Sequence, residues 1–123
     1  MKNVLVIALL IVGTGLWAQD KNAKATLEVD GVCMMCKKRI ELASLKTKGV
    51  KSAVWNVETH ELSLIYDERK ADLGKIQENI AAVGHDTKEI KATDEAYNTV
   101  HACCRYRDEK VRDDHEDDED GGK

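Results

Sequence analysis

The sequence predicts an α+β sandwich, an antiparallel four-stranded sheet with two helices on one face, and three observations carry that expectation. Apolar residues recur at the two-residue period of strands in some segments and at helical spacing in others. These segments follow one another in the order β-α-β-β-α-β. Between the two middle strands stands only the short polar Glu58-Thr59-His60, which requires an antiparallel hairpin with His60 as a turn residue.

Each element has its own signal. Ala25 to Val29 alternates and is broken by Asp30-Gly31, which makes the first strand. After Cys36, the residues Ile40, Ala43 and Thr47 fall at helical spacing beside Leu42 and Leu45, until Gly49 stops the helix with Lys46 and Lys48 in its last turn. Val50 to Val57, with Trp55 and Val57 in phase, and Glu61 to Tyr66, with Leu62, Leu64 and Tyr66 in phase, are the hairpin strands. Leu73, Ile76, Ile80 and Val83 mark a second amphipathic helix ended by Gly84, and Thr87 to Ile90 makes a short fourth strand. This order is the split βαβ, ferredoxin-like arrangement. Past Lys91, Ala96, Val100, Cys103 or Cys104 and Val111 lie on one side of a further helix, with Thr93 or Asp94 as its cap.

Residues 1–19 follow the plan of a secretory signal peptide: Met1-Lys2-Asn3, an uncharged run from Val4 to Val12, then Gly13-Thr14-Gly15-Leu16-Trp17-Ala18-Gln19 with cleavage expected after Ala18 or Gln19. Residues 20–24 read as a linker, 25–91 as the folded domain, and 92–123 as an extension carrying a cysteine pair and an acidic tail. The expected destination is a bacterial periplasm. Removing the leader from 123 residues leaves about 104, enough for one small domain. With 18 basic against 23 acidic side chains, its formal charge of −5 argues against nucleic acid as a partner. Much of the negative excess lies in residues 113–120, a self-repelling block expected to be solvated and disordered.

The chemistry concentrates at Cys33-Met34-Met35-Cys36. Two thiolates at this spacing converge on one ion when the second cysteine enters the first turn of a helix. Soft sulfur selects Cu(I), Hg(II), Zn(II) or Cd(II) over Mg or Ca. Exposed N–H groups at the helix start favour the thiolate form, and Lys37-Lys38-Arg39 lie within a turn. The same spacing serves thiol-disulfide redox proteins. A thioredoxin-like setting, however, calls for a parallel sheet and a proline, and this chain has no proline.

The loop Asp30-Gly31-Val32-Cys33-Met34-Met35-Cys36, the following Arg39-Ile40-Glu41, Gly49-Val50 after the first helix and Val83-Gly84-His85-Asp86-Thr87 after the second together resemble the heavy-metal-associated domain family. That family includes periplasmic mercuric-ion carriers, copper chaperones and the amino-terminal modules of copper-transporting ATPases. The resemblance covers Ala25 to Lys91. It implies a linear two-sulfur site at Cys33 and Cys36 that hands copper(I) or mercury(II), with zinc as a further candidate, to a membrane metal transporter or P-type ATPase by ligand exchange. A metal-bridged dimer is compatible with the same site. His85 occupies the family's variable position beside the metal and is a candidate ligand or hydrogen-bonding neighbour. Three departures stand out. Gly31 occupies the place where the family has a methionine plugging the core under the loop, which implies a less firmly seated loop. Lys48 stands where many members have proline, and Met34 and Met35 bring thioethers between the cysteines.

His101-Ala102-Cys103-Cys104 lies outside the family pattern. Adjacent cysteines are poorly shaped for a mutual disulfide. His101, Cys103 and Cys104 are therefore candidate soft-metal ligands, making a second site or folding back to extend the first, and disulfide formation competes in an oxidising compartment. The expected function is a secreted metal carrier or buffer and not an enzyme: no Ser/His/Asp set, phosphate loop or paired-carboxylate site is evident in the sequence. The alternative is a redox protein using Cys33 and Cys36.

Overall fold

Alternating residues build the sheet around its middle strand. The computed structural model describes residues 19–120, so all but the last residue of the expected leader lies outside the described residues. β1 (Ala23–Glu28) and β2 (Val50–Trp55) both pair antiparallel with β3 (Glu61–Tyr66), giving the order β1-β3-β2. Ala23 lies opposite Tyr66 and Glu28 opposite Glu61, while Trp55 faces Leu62 and Ala53 faces Leu64. The two-residue period therefore sends Trp55, Ala53, Leu62, Leu64 and Tyr66 to one face. Against that face pack α1 (Met34–Leu45), through Cys36, Ile40 and Ala43, and α2 (Leu73–Ala82), through Ile76 and Ile80. The Asp72 side chain accepts from the Lys75 N–H and caps α2. Gly49 and Gly84 both adopt positive φ, at 101° and 102°, where each helix is followed by a turn.

Among the described residues the sheet has three strands, not the expected four. Only one antiparallel bridge, Val29 with Thr87, remains of the fourth, flanked by hydrogen bonds from Asp30 N to Asp86 O and from Lys88 N to Glu28 O. The cause is local. The Thr87 hydroxyl donates to Gln77 Oε1 and accepts from the Ile90 N–H, while the Thr87 N–H bonds the Ile90 carbonyl. Residues 87–90 thus close a turn on themselves and cannot run along an edge.

The extension also departs from expectation. In place of one helix, Thr93 caps a single turn, α3 (Asp94–Tyr97), a 3-10 turn follows at Ala102–Cys104, and α4 spans Glu109–Asp120. Asp108 accepts from the Lys110 N–H at the start of α4, and this helix runs on into the acidic block. Val100, Cys104 and Tyr106 are buried, the first two inside the same core as the sheet. Among the described residues no helix is long and apolar enough to cross a membrane.

Candidate metal centre

Cys33 ends the loop after β1 as the N-cap of α1, and Cys36 is the third residue of that helix. These two positions face each other at a helix start, as in a capping box. The Cys33 side chain makes no capping hydrogen bond, and its sulfur instead stands 3.3 Å from that of Cys36. Cys33 is half-buried and Cys36 fully buried. Two of the three neighbouring cations are engaged elsewhere: Lys37 binds the Trp55 carbonyl at 3.0 Å and Glu41 at 2.6 Å, while Arg39 donates to the Val83 carbonyl.

The loop is seated from below by the sheet. A Cβ at position 31 would lie 2.9 Å from Trp55 Cη2 and 3.0 Å from Cys36 Cβ. The indole thus fills the space that a side chain at 31 would take, and its Nε1 donates to the Val29 carbonyl at 3.0 Å. Gly31 is the complement of Trp55, and the expectation of a loosely seated loop is corrected accordingly.

From the extension comes a third sulfur. Cys104 Sγ lies 2.9 Å from Cys33 Sγ and is fully buried. Cys103 stands further out, 3.9 Å from Cys104 and 3.5 Å from the Met35 thioether, and the sulfurs of Cys33, Cys103 and Cys104 lie within 4.8 Å of one another. Burial foremost, and then the adjacent Cys33 and Cys36 sulfurs, push the Cys104 thiol well above its ordinary pKa. Met34 is 64% exposed, whereas the Met35 thioether joins the rim through Cys103.

The histidines take other places. His101 is exposed and supplies its carbonyl to the Cys104 N–H in the 3-10 turn; its ring does not join the sulfur cluster. His85 is fully buried, bonds the Asp30 carbonyl through Nδ1 at 2.9 Å and stacks on Tyr106. Burial lowers its pKa to about 4, which leaves the ring neutral, and it likewise stands outside the sulfur group.

What holds the extension was not foreseen. The Tyr106 hydroxyl donates to the Gly84 carbonyl at 2.7 Å and accepts from the Asp86 N–H at 2.9 Å. Arg107 bonds both Asp86 carboxylate oxygens and the Ala92 carbonyl, and lies over the Tyr97 ring. A Cβ on Gly84 would come within 2.6 Å of the Ala96 carbonyl, so glycine there lets the extension cross. The only sequence signal was adjacency, since Tyr106 and Arg107 follow the cysteine pair closely.

Fold and cluster together define a small α+β metal-binding domain whose sulfurs meet at a helix start. Heavy-metal-associated domain is the family whose model matches, over residues 26–86. A CopZ metallochaperone is 32% identical, with 53% of this chain and 98% of that one covered and a TM-score of 0.51. The Cu(I)-loaded N-terminal domain of a potential copper-translocating P-type ATPase from Bacillus subtilis is 26% identical, with coverages of 55% and 85% and a TM-score of 0.52. Oxidized MerP from Ralstonia metallidurans CH34 is 25% identical, with coverages of 55% and 94% and a TM-score of 0.52. No curated protein matches the chain. The chain belongs to the heavy-metal-associated domain family, and the segment after residue 86 lies beyond the family match.

Proposed function

We propose that the protein carries or buffers a soft ion, copper(I) or mercury(II), through Cys33 and Cys36, in the periplasm after loss of its leader. The observation that carries this reading is the pair of sulfurs 3.3 Å apart at the start of α1, one half-exposed and one buried. On the side of half-exposed Cys33 the bound ion is open to attack by a partner's thiolate, which bonds the ion as Cys33 leaves it, and buried Cys36 keeps the ion in place during the exchange. Such transfer requires no general acid or base, which suits a carrier and not an enzyme. Likeness to a copper-ATPase domain and to a metallochaperone supports a membrane metal transporter or P-type ATPase as the partner. Zinc is bound less strongly than Cu(I) by two thiolates alone, since it takes four ligands.

The test is the double variant Cys33→Ser/Cys36→Ser, offered Cu(I), Hg(II) and Zn(II) in competition under native mass spectrometry. Loss of tight Cu(I) and Hg(II) binding is expected, with the fold retained. Unchanged affinity would remove the assignment. Sustained disulfide reductase turnover dependent on Cys33 would transfer it to a redox function.

A further inference from the structure

We propose that Cys104 is a third thiolate ligand, which the extension delivers to the ion held by Cys33 and Cys36, making a three-sulfur site within one chain. This rests on the soft-metal reading above and adds the part of the chain beyond the family match. Cys33 is the hub, with Cys36 at 3.3 Å on one side and Cys104 at 2.9 Å on the other. With metal–sulfur bonds of about 2.3 Å, a linear pair needs sulfurs roughly 4.6 Å apart, whereas a trigonal set needs roughly 4 Å. The two spacings from Cys33, 3.3 and 2.9 Å, are shorter than either value and have less far to open for a trigonal ion than for a linear one, while Cys36 Sγ lies 3.9 Å from the Cys104 carbonyl, so a linear ion would have to form beside a third thiol already packed against it.

Cys104 is not there by chance of a loose tail. Its backbone is fixed in the 3-10 turn by the bond from its N–H to the His101 carbonyl at 2.8 Å. Two residues on, Tyr106 is bonded to both Gly84 and Asp86, and Arg107 closes on Asp86. Positioning of the sulfur is therefore built into the core. Cys103 shares the 4.8 Å group with Cys33 and Cys104, but it is the exposed member and packs on the Met35 thioether, so Cys104, buried and 2.9 Å from Cys33, is assigned as the third ligand.

On loading, each of the three thiols releases its proton to solvent as its sulfur bonds the ion, and no electron moves. The consequence concerns transfer. A two-thiolate carrier passes its ion through an intermediate in which a partner thiol becomes the third ligand. Cys104 already occupies that position, so the partner's thiol must displace it. The domain then holds its ion more tightly and releases it more slowly than a two-thiolate carrier.

The experiment is X-ray absorption on the reduced full mature chain, loaded separately with one equivalent of Cu(I) or Hg(II), alongside Cys104→Ser and Cys103→Ser. Native mass spectrometry confirms one ion per monomer. Three sulfurs are expected in the wild type and in Cys103→Ser, falling to two in Cys104→Ser, with faster release to a competing dithiol in that variant. Tight binding with a two-sulfur shell for both ions in the wild type would overturn the proposal while leaving the Cys33/Cys36 reading intact. A three-sulfur shell that survives Cys104→Ser, or is lost instead in Cys103→Ser, would overturn it as well. Failure of the wild type to bind either ion would reject the underlying reading itself.

Discussion

Trp55 and Gly31 illustrate how one residue choice compels another. Because a Cβ at 31 would meet both the indole and Cys36, Gly31→Ala is expected to destabilise the fold by about 1–3 kcal/mol through overpacking. Trp55→Leu should reduce that penalty, and a double-mutant cycle by urea unfolding reads the coupling; strictly additive costs would show that the two do not share the space. His85 supplies a second residue-scale test. Its folded pKa of about 4 lies below the ordinary 6.5, so the unfolded chain binds the proton more readily between those values. Stability is then fully present above about pH 6.5 and is lost as pH falls towards 4, by about 3 kcal/mol at about 1.4 kcal/mol per unit. Asp30, whose carboxyl is pushed up by burial, acts in the opposite direction, and for that reason the informative quantity is the difference between wild type and His85→Phe. The variant should show a flatter profile of unfolding free energy across this window; parallel profiles would show that His85 does not titrate there.

Elements were legible where a period runs long enough to be read. β3 falls at Glu61–Tyr66 as expected, because three consecutive inward positions hold Leu62, Leu64 and Tyr66. The fourth strand was misread because Thr87 to Ile90 is too short for periodicity to decide, and a side-chain hydroxyl bonding its own neighbours won over the sheet edge. Cys33 and Cys36 were legible from spacing alone, whereas the approach of Cys104 depends on contacts between residues about twenty positions apart, Tyr106 with Gly84 and Asp86, that no local pattern encodes. Those contacts make the extension testable as an element. Tyr106→Phe removes the hydroxyl and leaves the buried Asp86 N–H and Gly84 carbonyl without it, a cost of about 1–3 kcal/mol. Alkylation of Cys104 should also accelerate in this variant, as followed by peptide mass spectrometry. Unchanged stability and labelling would mean that the hydroxyl does not hold the extension.

At the scale of the whole molecule, the family domain and its extension share one core, since Val100 and Cys104 pack in the same cluster as Ile40, Leu62 and Ile80. An ion held by Cys33, Cys36 and Cys104 therefore ties β1, α1 and the extension together, and none of these is assembled in the unfolded chain. Binding energy then appears as folding stability. With free Cu(I) buffered at about one hundred times its Kd, the folded state gains about 2.7 kcal/mol, on the order of a 10–20 °C rise in Tm for a domain of this size. Calorimetry of the reduced protein should show a single transition that moves upward on loading. Cys33→Ser/Cys36→Ser should show no rise, and Cys104→Ser a smaller rise than the wild type. If the double variant rose as far as the wild type, the ion would be stabilising the protein from a site other than this cluster. If loading split the transition in two, the family domain and the extension would be unfolding independently, and the shared core would not couple them.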